Sequence, residues 1–423
     1  MQICIFEDLE FSNLEPLVFN RPVYDLLCGT STLKEKILRS YGNVSFSLHT
    51  RPYLKELVEL QNSGNPVNKI DDDYCLFLNG RIIAPPNLSE ILPLIETEDR
   101  VYVNEETVVA AYLSGERLKK RKSFLNDLFS ISDFEGVPIK IIDIKCVKYI
   151  WDLINLNGNL IKEEAEFFIN GNRNNYVNIL QPSVHTIKPK NIFIGKNANV
   201  KPGVVLDASN GPIIIDEDVE IFPNAVIEGP CYIGKGSKIK SCATIYENVS
   251  IGEICKIGGE VEQSVFMPYS NKQHSGFIGH AYIGSWVNLG AGTNNSDLKN
   301  NYSPVEATIG GQEIETGLQF LGLMMGDHSK SAINTMFNSG TVVGFSCNIF
   351  GAGFPKKYIP SFSWGGAEKM ITYDLKKSME TAKVVMARRK VEFTKADEEV
   401  FKTVFELTSN ERQKRGICIN QMK

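Results

Sequence analysis

Eight isoleucines spaced six residues apart constrain this chain more than any other feature. Ile215, Ile221, Ile227, Ile233, Ile239, Ile245, Ile251 and Ile257 keep the interval without a miss. Ile194, Val200 and Leu206 precede them on the same spacing, and Phe277, Ile283 and Leu289 follow after a disturbance. A period of six serves neither an amphipathic helix nor a simple hairpin strand. It serves a coil with three flat walls, each one short strand and a turn, in which the aliphatic residue points inward. Glycine follows directly at Gly195, Gly234, Gly252, Gly258, Gly284 and Gly290, where the chain must turn a corner. Three hexapeptides close one coil, and stacked coils bury a continuous aliphatic column. The expected fold over residues 186–360 is therefore a left-handed parallel β-helix. The spacing lapses at Gln263 and again across TNNSDLKNNYSPVEA. The stretches SVFMPYSNKQHSG and TNNSDLKNNYSPVEA are expected to leave the coil as loops, with the repeat resuming near Thr308-Ile309-Gly310 and around Val343-Gly344 and Ile349.

The flanks read differently. Over residues 1–170, short apolar runs (QICIF, YCLFLN, RVYVN, PIKIID) alternate with helix-like stretches such as STLKEKILRSYG and PYLKELVELQN. That alternation predicts an α/β, Rossmann-like domain with a largely parallel sheet. The polar, Asn-rich NGNRNNYVNILQPS suits a linker. Residues 361–423 are strong helix formers with one apolar face at Met379, Ala382, Val385 and Met386, and are expected to cap the solenoid end or a neighbouring subunit. Its basic run Lys383, Arg388, Arg389 and Lys390 reads as a solvated helix face.

Bulk composition narrows the partners. A net charge of −5 advertises no nucleic acid and no anionic membrane. No apolar run approaches the roughly 20 residues that span a bilayer. The opening MQICIFEDLEF reads as a first strand and not as a leader peptide. Nine scattered cysteines without a CxxC pair suit reduced thiols in the cytoplasm, and Cys231, Cys242 and Cys255 are expected to pack as small apolar groups.

The segment His274-Ser-Gly-Phe277-Ile-Gly279-His-Ala-Tyr-Ile-Gly284-Ser-Trp-Val-Asn288-Leu-Gly290-Ala291-Gly292-Thr293 resembles a stretch of the bifunctional N-acetylglucosamine-1-phosphate uridyltransferase/glucosamine-1-phosphate acetyltransferases. There it runs H-x-x-Y-x-G-x-A-x-I-G-x-x-V-N-I-G-A-G-T. RPVYDLLCGTSTLKEKI and GLMMGDHSKSAINTMFNSGTVVG…IPSFSWGG look like a shorter, divergent branch described as sugar nucleotidyltransferases. The resemblance implies an acyltransferase that uses acetyl-CoA on an amino sugar or sugar phosphate. It puts the general base on His274, the sugar contacts on Phe277, Asn288, Asn301 and Tyr302, and the acyl-facing turn on Ala291 and Gly292. It also implies a homotrimer with sites shared between prisms. Phe277 stands where that family has tyrosine, so a hydroxyl is missing from the acceptor side.

The residues suit the chemistry. An amine or hydroxyl attacking a thioester must lose a proton, and a histidine titrating near neutrality accepts it. A backbone N–H in a Gly-Ala-Gly turn can meet the oxygen of the tetrahedral intermediate. His280 and His328, on turns, are expected simply to meet solvent.

In the first domain the family's Gly-rich phosphate loop is absent, since no glycine precedes Gly29. At the place of its magnesium aspartate stands Asn79-Gly80-Arg81, and arginine cannot ligate Mg²⁺. Arg21, Lys36, Asn79 and Arg81 are the candidates for a phosphate or nucleotide-sugar, with surface ion pairing as the plainer role. No metal ligands are assigned, and Mg²⁺ is expected only if this domain is active. Two alternatives stay open: a sugar-1-phosphate nucleotidyltransferase trimerised by the β-helix, and a non-catalytic regulatory or scaffold protein that binds nucleotide-sugars.

Overall fold

The computed structural model describes residues 2–169, 175–176 and 182–418. Most of the Asn-rich linker lies outside them. Among the described residues no helix is long and apolar enough to cross a membrane.

The solenoid follows from its column. Ile194, Val200, Leu206, Ile215, Ile221, Ile227, Ile233, Ile239, Ile245, Ile251 and Ile257 all point inward and are buried. Parallel pairing such as Ile221↔Ile239↔Ile257 and Ile227↔Ile245 stacks them coil on coil into a left-handed β-helix. The first wall runs from Ile192–Ile194 to Tyr358–Ile359, the second begins at Asn199–Val200 and the third at His185–Ile187. Corners repeat a left-handed residue, as at Asn224 and Cys242.

Three expectations about the repeat are corrected. The stretch after Gln263 does not leave the coil: Val265–Phe266, Asn271–Lys272 and Phe277–Gly279 are strands of the three successive walls. The period merely contracts, so that the inward positions become Val261, Phe266, Lys272 and Ile278. Phe277 therefore lies outside the column, beside Ile278 within it. Around Thr308-Ile309-Gly310 no coil resumes; Glu306–Ile309 and Gln312–Glu315 form an antiparallel hairpin. That insertion packs Val305, Ala307 and Ile309 into the core shared with the first domain. Cys242, at a corner, is exposed, whereas Cys231 and Cys255 are buried as expected.

The first domain holds a six-stranded sheet. Gln2–Phe6 lies between Ser45–Leu48 and Tyr74–Asn79, parallel to both. The sheet is mixed rather than largely parallel, because Thr107–Ser114 runs antiparallel to Tyr74–Asn79 and to Arg100–Asn104.

This domain lies lengthwise along the solenoid's first wall. From Phe193 to Val342 the apolar outward residues of that wall are Phe193, Ile214, Tyr232, Val265, Tyr282, Met324 and Val342, all buried. Helix Ile150–Ile169 packs Ile161, Ala165 and Phe168 on the first three of them. Each large apolar side chain so covered contributes about 1.5–3 kcal/mol. Polar pins fix the seam: Ser250 Oγ donates to the Gly29 carbonyl at 2.6 Å, and Tyr282 OH to the Leu27 carbonyl at 2.7 Å.

The tail is not one helix. Met370–Thr372 first pairs antiparallel with Ser363–Gly365 and closes the last coil, and three helices follow. Phe401 then wedges against Phe345, Phe362 and His328.

Candidate functional site

The corner between the second and third walls gathers most of the residues assigned to acyl transfer by the sequence. Strand Asn271–Lys272 carries its coil along the second wall, and His274 follows on an exposed bend. Ala291 and Gly292 turn the same corner one coil later, where the Gly292 N–H donates to the Ser275 carbonyl at 3.1 Å. The Ala291 carbonyl accepts from Asn334 at 2.7 Å, while among the described residues nothing accepts from the Ala291 N–H. Gly292 has φ +70°, and a side chain there would collide with Asn334. Asn288 is exposed on the second wall, in register with Asn271 and Lys330. Phe277 lies on the third wall, its N–H held by Asn294 Oδ1 at 2.8 Å.

Asn301 and Tyr302 lie elsewhere in the chain. They sit on the insertion that leaves from the opposite corner of the third wall, with Tyr302 65% exposed. The strand Phe277–Gly279 separates that corner from His274 by roughly 10 Å at 3.3 Å per residue. One chain therefore brings His274, Ala291, Gly292 and Asn288 to one edge and leaves Tyr302 at the other.

Sequence reasoning missed Lys272. It occupies an inward position of the aliphatic column and is 1% exposed. Its Nζ donates to the carbonyls of Gly258 at 2.8 Å and His274 at 3.0 Å, so a buried ammonium holds the bend that carries the histidine. Burial pushes this amine down to about 8. The unfolded chain, with its ordinary lysine near 10.5, binds more protons between those values, so this contribution to stability rises with pH across that window. Wild type is expected to gain roughly 2–3 kcal/mol on Lys272→Met between pH 7.5 and pH 10, at about 1.4 kcal/mol per unit. Urea unfolding of both proteins measures it, and the paired comparison cancels the thiols and phenols they share. A gap that stays constant with pH would contradict the account.

The tail's basic run is not simply solvated. Arg389 donates to Asn271 Oδ1 at 2.8 Å over the second wall. Burial first, then Arg389, Lys238, Lys240 and Arg388, lower the Lys256 amine, which marks this wall as basic. The third wall is acidic: burial first, then Asp207, Glu247 and Glu262, raise the Glu228 carboxyl. His328 does not meet solvent as expected; it is buried beside Trp286, and that burial pushes its imidazole well down.

The first domain's ligand crevice would lie between Gln2–Phe6 and Tyr74–Asn79, where connections leave the first strand to opposite sides. Its own residues fill that place. Arg81 is fully buried; Nε donates to Asp8 Oδ1 at 2.8 Å, Nη2 to Asp8 Oδ2 and Glu10 Oε2 at 2.5 Å each. Asn79 donates to Asp8 at 2.7 Å, and Glu7 is held by Arg51, Thr50 and the Val23 N–H. A side chain at Gly80 would strike the Tyr24 ring and the Phe6 carbonyl. The two carboxylates in contact with Arg81, Asp8 and Glu10, are neutralised by it, so this set does not fit Mg²⁺. Beyond Glu10 and Arg81 opens a cleft of about 770 Å³ lined by both signs of charge, among them Glu105, Asp143, Lys145 and Lys148.

Neither Arg21 nor Lys36 is a surface ion pair. Arg21 pairs with Asp327 of the solenoid across the domain seam. Lys36 is buried against Glu164, which also takes Arg39. All four phosphate candidates are thus engaged by groups of the chain itself.

Residues 3–173 match the sugar nucleotidyl transferase family model, and residues 212–247 match the bacterial transferase hexapeptide model. A bifunctional sugar-1-phosphate nucleotidylyltransferase/acetyltransferase of Sulfurisphaera tokodaii is 34% identical over 38% of this chain, which spans only 39% of that relative. The bifunctional protein GlmU of Wigglesworthia glossinidia brevipalpis is 26% identical over 74% of the chain and 72% of its own length. The solved UDP-N-acetylglucosamine acyltransferase of Francisella novicida aligns over 56% of this chain and 85% of its own, at 16% identity and a TM-score of 0.29, too low to add to the argument. The first domain thus matches the sugar nucleotidyl transferase model and the solenoid the hexapeptide model, and the chain is similar, at low identity, to bifunctional sugar-1-phosphate nucleotidylyltransferase/acetyltransferases.

Proposed function

We propose that the solenoid is an acyltransferase that moves an acyl group from acetyl-CoA to an amino sugar or sugar phosphate. One observation carries the reading: an exposed histidine stands one coil before a Gly-Ala-Gly turn whose Ala291 N–H has no acceptor among the described residues. His274 takes the proton of the attacking amine or hydroxyl. The Ala291 N–H meets the oxygen that becomes negative in the tetrahedral intermediate, beside the side-chain-free Gly292. Phe277 and Asn288 shape the acceptor side. The names of the relatives, which pair nucleotidylyl transfer with acetyl transfer, supply the substrate class. The first domain is a nucleotide-sugar fold whose crevice is filled, and no metal-dependent step is assigned to it.

The chain works as a homotrimer in this reading. Its first wall is covered by its own first domain, which leaves a basic and an acidic wall to meet between copies. A neighbour would bring Asn301 and Tyr302 to a site its own chain cannot complete. Small molecules are the partners, and the cytoplasm, where nine free cysteines stay reduced, is the compartment.

Titration calorimetry with acetyl-CoA tests the reading: binding in the micromolar to sub-millimolar range is expected. No heat at near-millimolar ligand would reduce the β-helix to an assembly device.

A further inference from the structure

Histidines flank the strand Phe277–Gly279, His274 three residues before it and His280 directly after it, and among the described residues only His280 is backed by a carboxylate. His280 Nδ1 lies 2.8 Å from Asp297 Oδ2. The ring also stacks on Phe320, with centroids 5.1 Å apart and planes 23° from parallel. Its backbone is fixed from both sides: the N–H donates to the Glu262 carbonyl at 3.2 Å, and the carbonyl accepts from Gly322 at 2.9 Å. Orientation and tautomer are therefore both set, because a carboxylate on Nδ1 keeps the proton there and leaves Nε2 as the acceptor. Nε2 has no partner among the described residues and is not sealed from solvent.

The surroundings add a platform. A side chain at Gly279 would strike both the Phe277 ring and the Asp297 carboxylate, so ring and dyad meet over the same bare stretch of backbone. Asn295, from the next coil, holds that backbone by accepting from the Gly279 N–H and donating to its carbonyl.

We propose that His280, oriented by Asp297, is a second proton-accepting base of this chain, acting on a sugar hydroxyl or amine held against the Phe277 ring on the third wall. The proposal rests on the acyl-transfer reading but not on His274. Nε2 takes the proton of the acceptor as its oxygen or nitrogen bonds to the thioester carbonyl carbon. The tetrahedral intermediate then collapses, the carbon–sulfur bond breaks, and the imidazolium returns the proton to the leaving thiolate. Asp297 stays ionised throughout and stabilises the imidazolium. The flat apolar ring of Phe277 takes the apolar face of the acceptor, and the dyad supplies the polar contact.

The test uses the full chain, acetyl-CoA and a panel of sugar phosphates and amino sugars, with free thiol as the readout. His280 sits at φ +46°, so His280→Gly suits the backbone and leaves room for added imidazole. For at least one acceptor, His280→Gly is expected to lower kcat about 100-fold or more at unchanged KM for acetyl-CoA, with imidazole restoring part of the rate. Asp297→Asn is expected to lower the same rate at least tenfold. Turnover unchanged for every acceptor, or a loss that imidazole does not restore, overturns the proposal and makes the dyad a pin for the insertion. If wild type releases no thiol with any acceptor, the acyl-transfer reading itself fails and this proposal falls with it.

Discussion

His274→Ala is expected to lower acyl-transfer turnover by roughly 10²–10⁴-fold on the acceptor this histidine serves, while leaving acetyl-CoA affinity within about threefold. The size follows from what is removed. Without a base, the attacking group must lose its proton to water: the neighbours on the bend are Gln273, Ser275 and Gly276, and the Lys272 amine beneath it is buried and bound to two carbonyls. Affinity is spared because His274 is exposed and, among the described residues, its side chain makes no hydrogen bond or ion pair. The bend itself is held from beneath, by Lys272 through the His274 carbonyl, and alanine keeps that carbonyl. Steady-state thiol release and calorimetry on the two proteins separate the effects. Equal losses of rate and binding would mean that the histidine shapes the site without taking the proton.

Arg81→Met is expected to cost about 3–5 kcal/mol of unfolding free energy, because it breaks a buried ion pair from one side. Asp8 would remain enclosed with only Asn79 donating to it among the contacts described, and the Val147 carbonyl would lose its guanidinium donor. The double variant Asp8→Asn/Arg81→Met should recover part of the loss, since it no longer strands a carboxylate away from water. Urea unfolding followed by circular dichroism measures both. A loss below about 1 kcal/mol for the single variant would show a solvated pair and an open crevice, and would return the first domain to consideration as a nucleotide site.

The solenoid was legible because its period is local: eight isoleucines in step specify inward positions without any knowledge of the rest of the chain. The reading failed where the period contracted. Ile257 is followed inward by Val261, Phe266 and Lys272, and a lysine in an aliphatic column looks like an interruption. It is a coil all the same, because its ammonium finds two carbonyls. The covering of the first wall had a signal that periodicity in sixes passes over. Outward neighbours there are Phe193, Ile214 and Tyr232, whereas on the second wall they are Glu220, Lys238 and Lys256. The His280–Asp297 dyad had no such signal, for its members stand 17 residues apart on either side of a complete coil.

The filled crevice was half legible. Arg81 in place of a metal-binding carboxylate was visible, but its burial against Asp8 and Glu10 depends on the short helix Leu9–Leu14 folding over the strand ends.

The most direct test of the account offers one protein sample both sets of substrates and asks which product appears. Acetyl-CoA with amino-sugar phosphates should release free thiol, whereas nucleoside triphosphate, sugar-1-phosphate and Mg²⁺ should release no pyrophosphate. Pyrophosphate without thiol would contradict it, and would make the solenoid the scaffold and the first domain the enzyme.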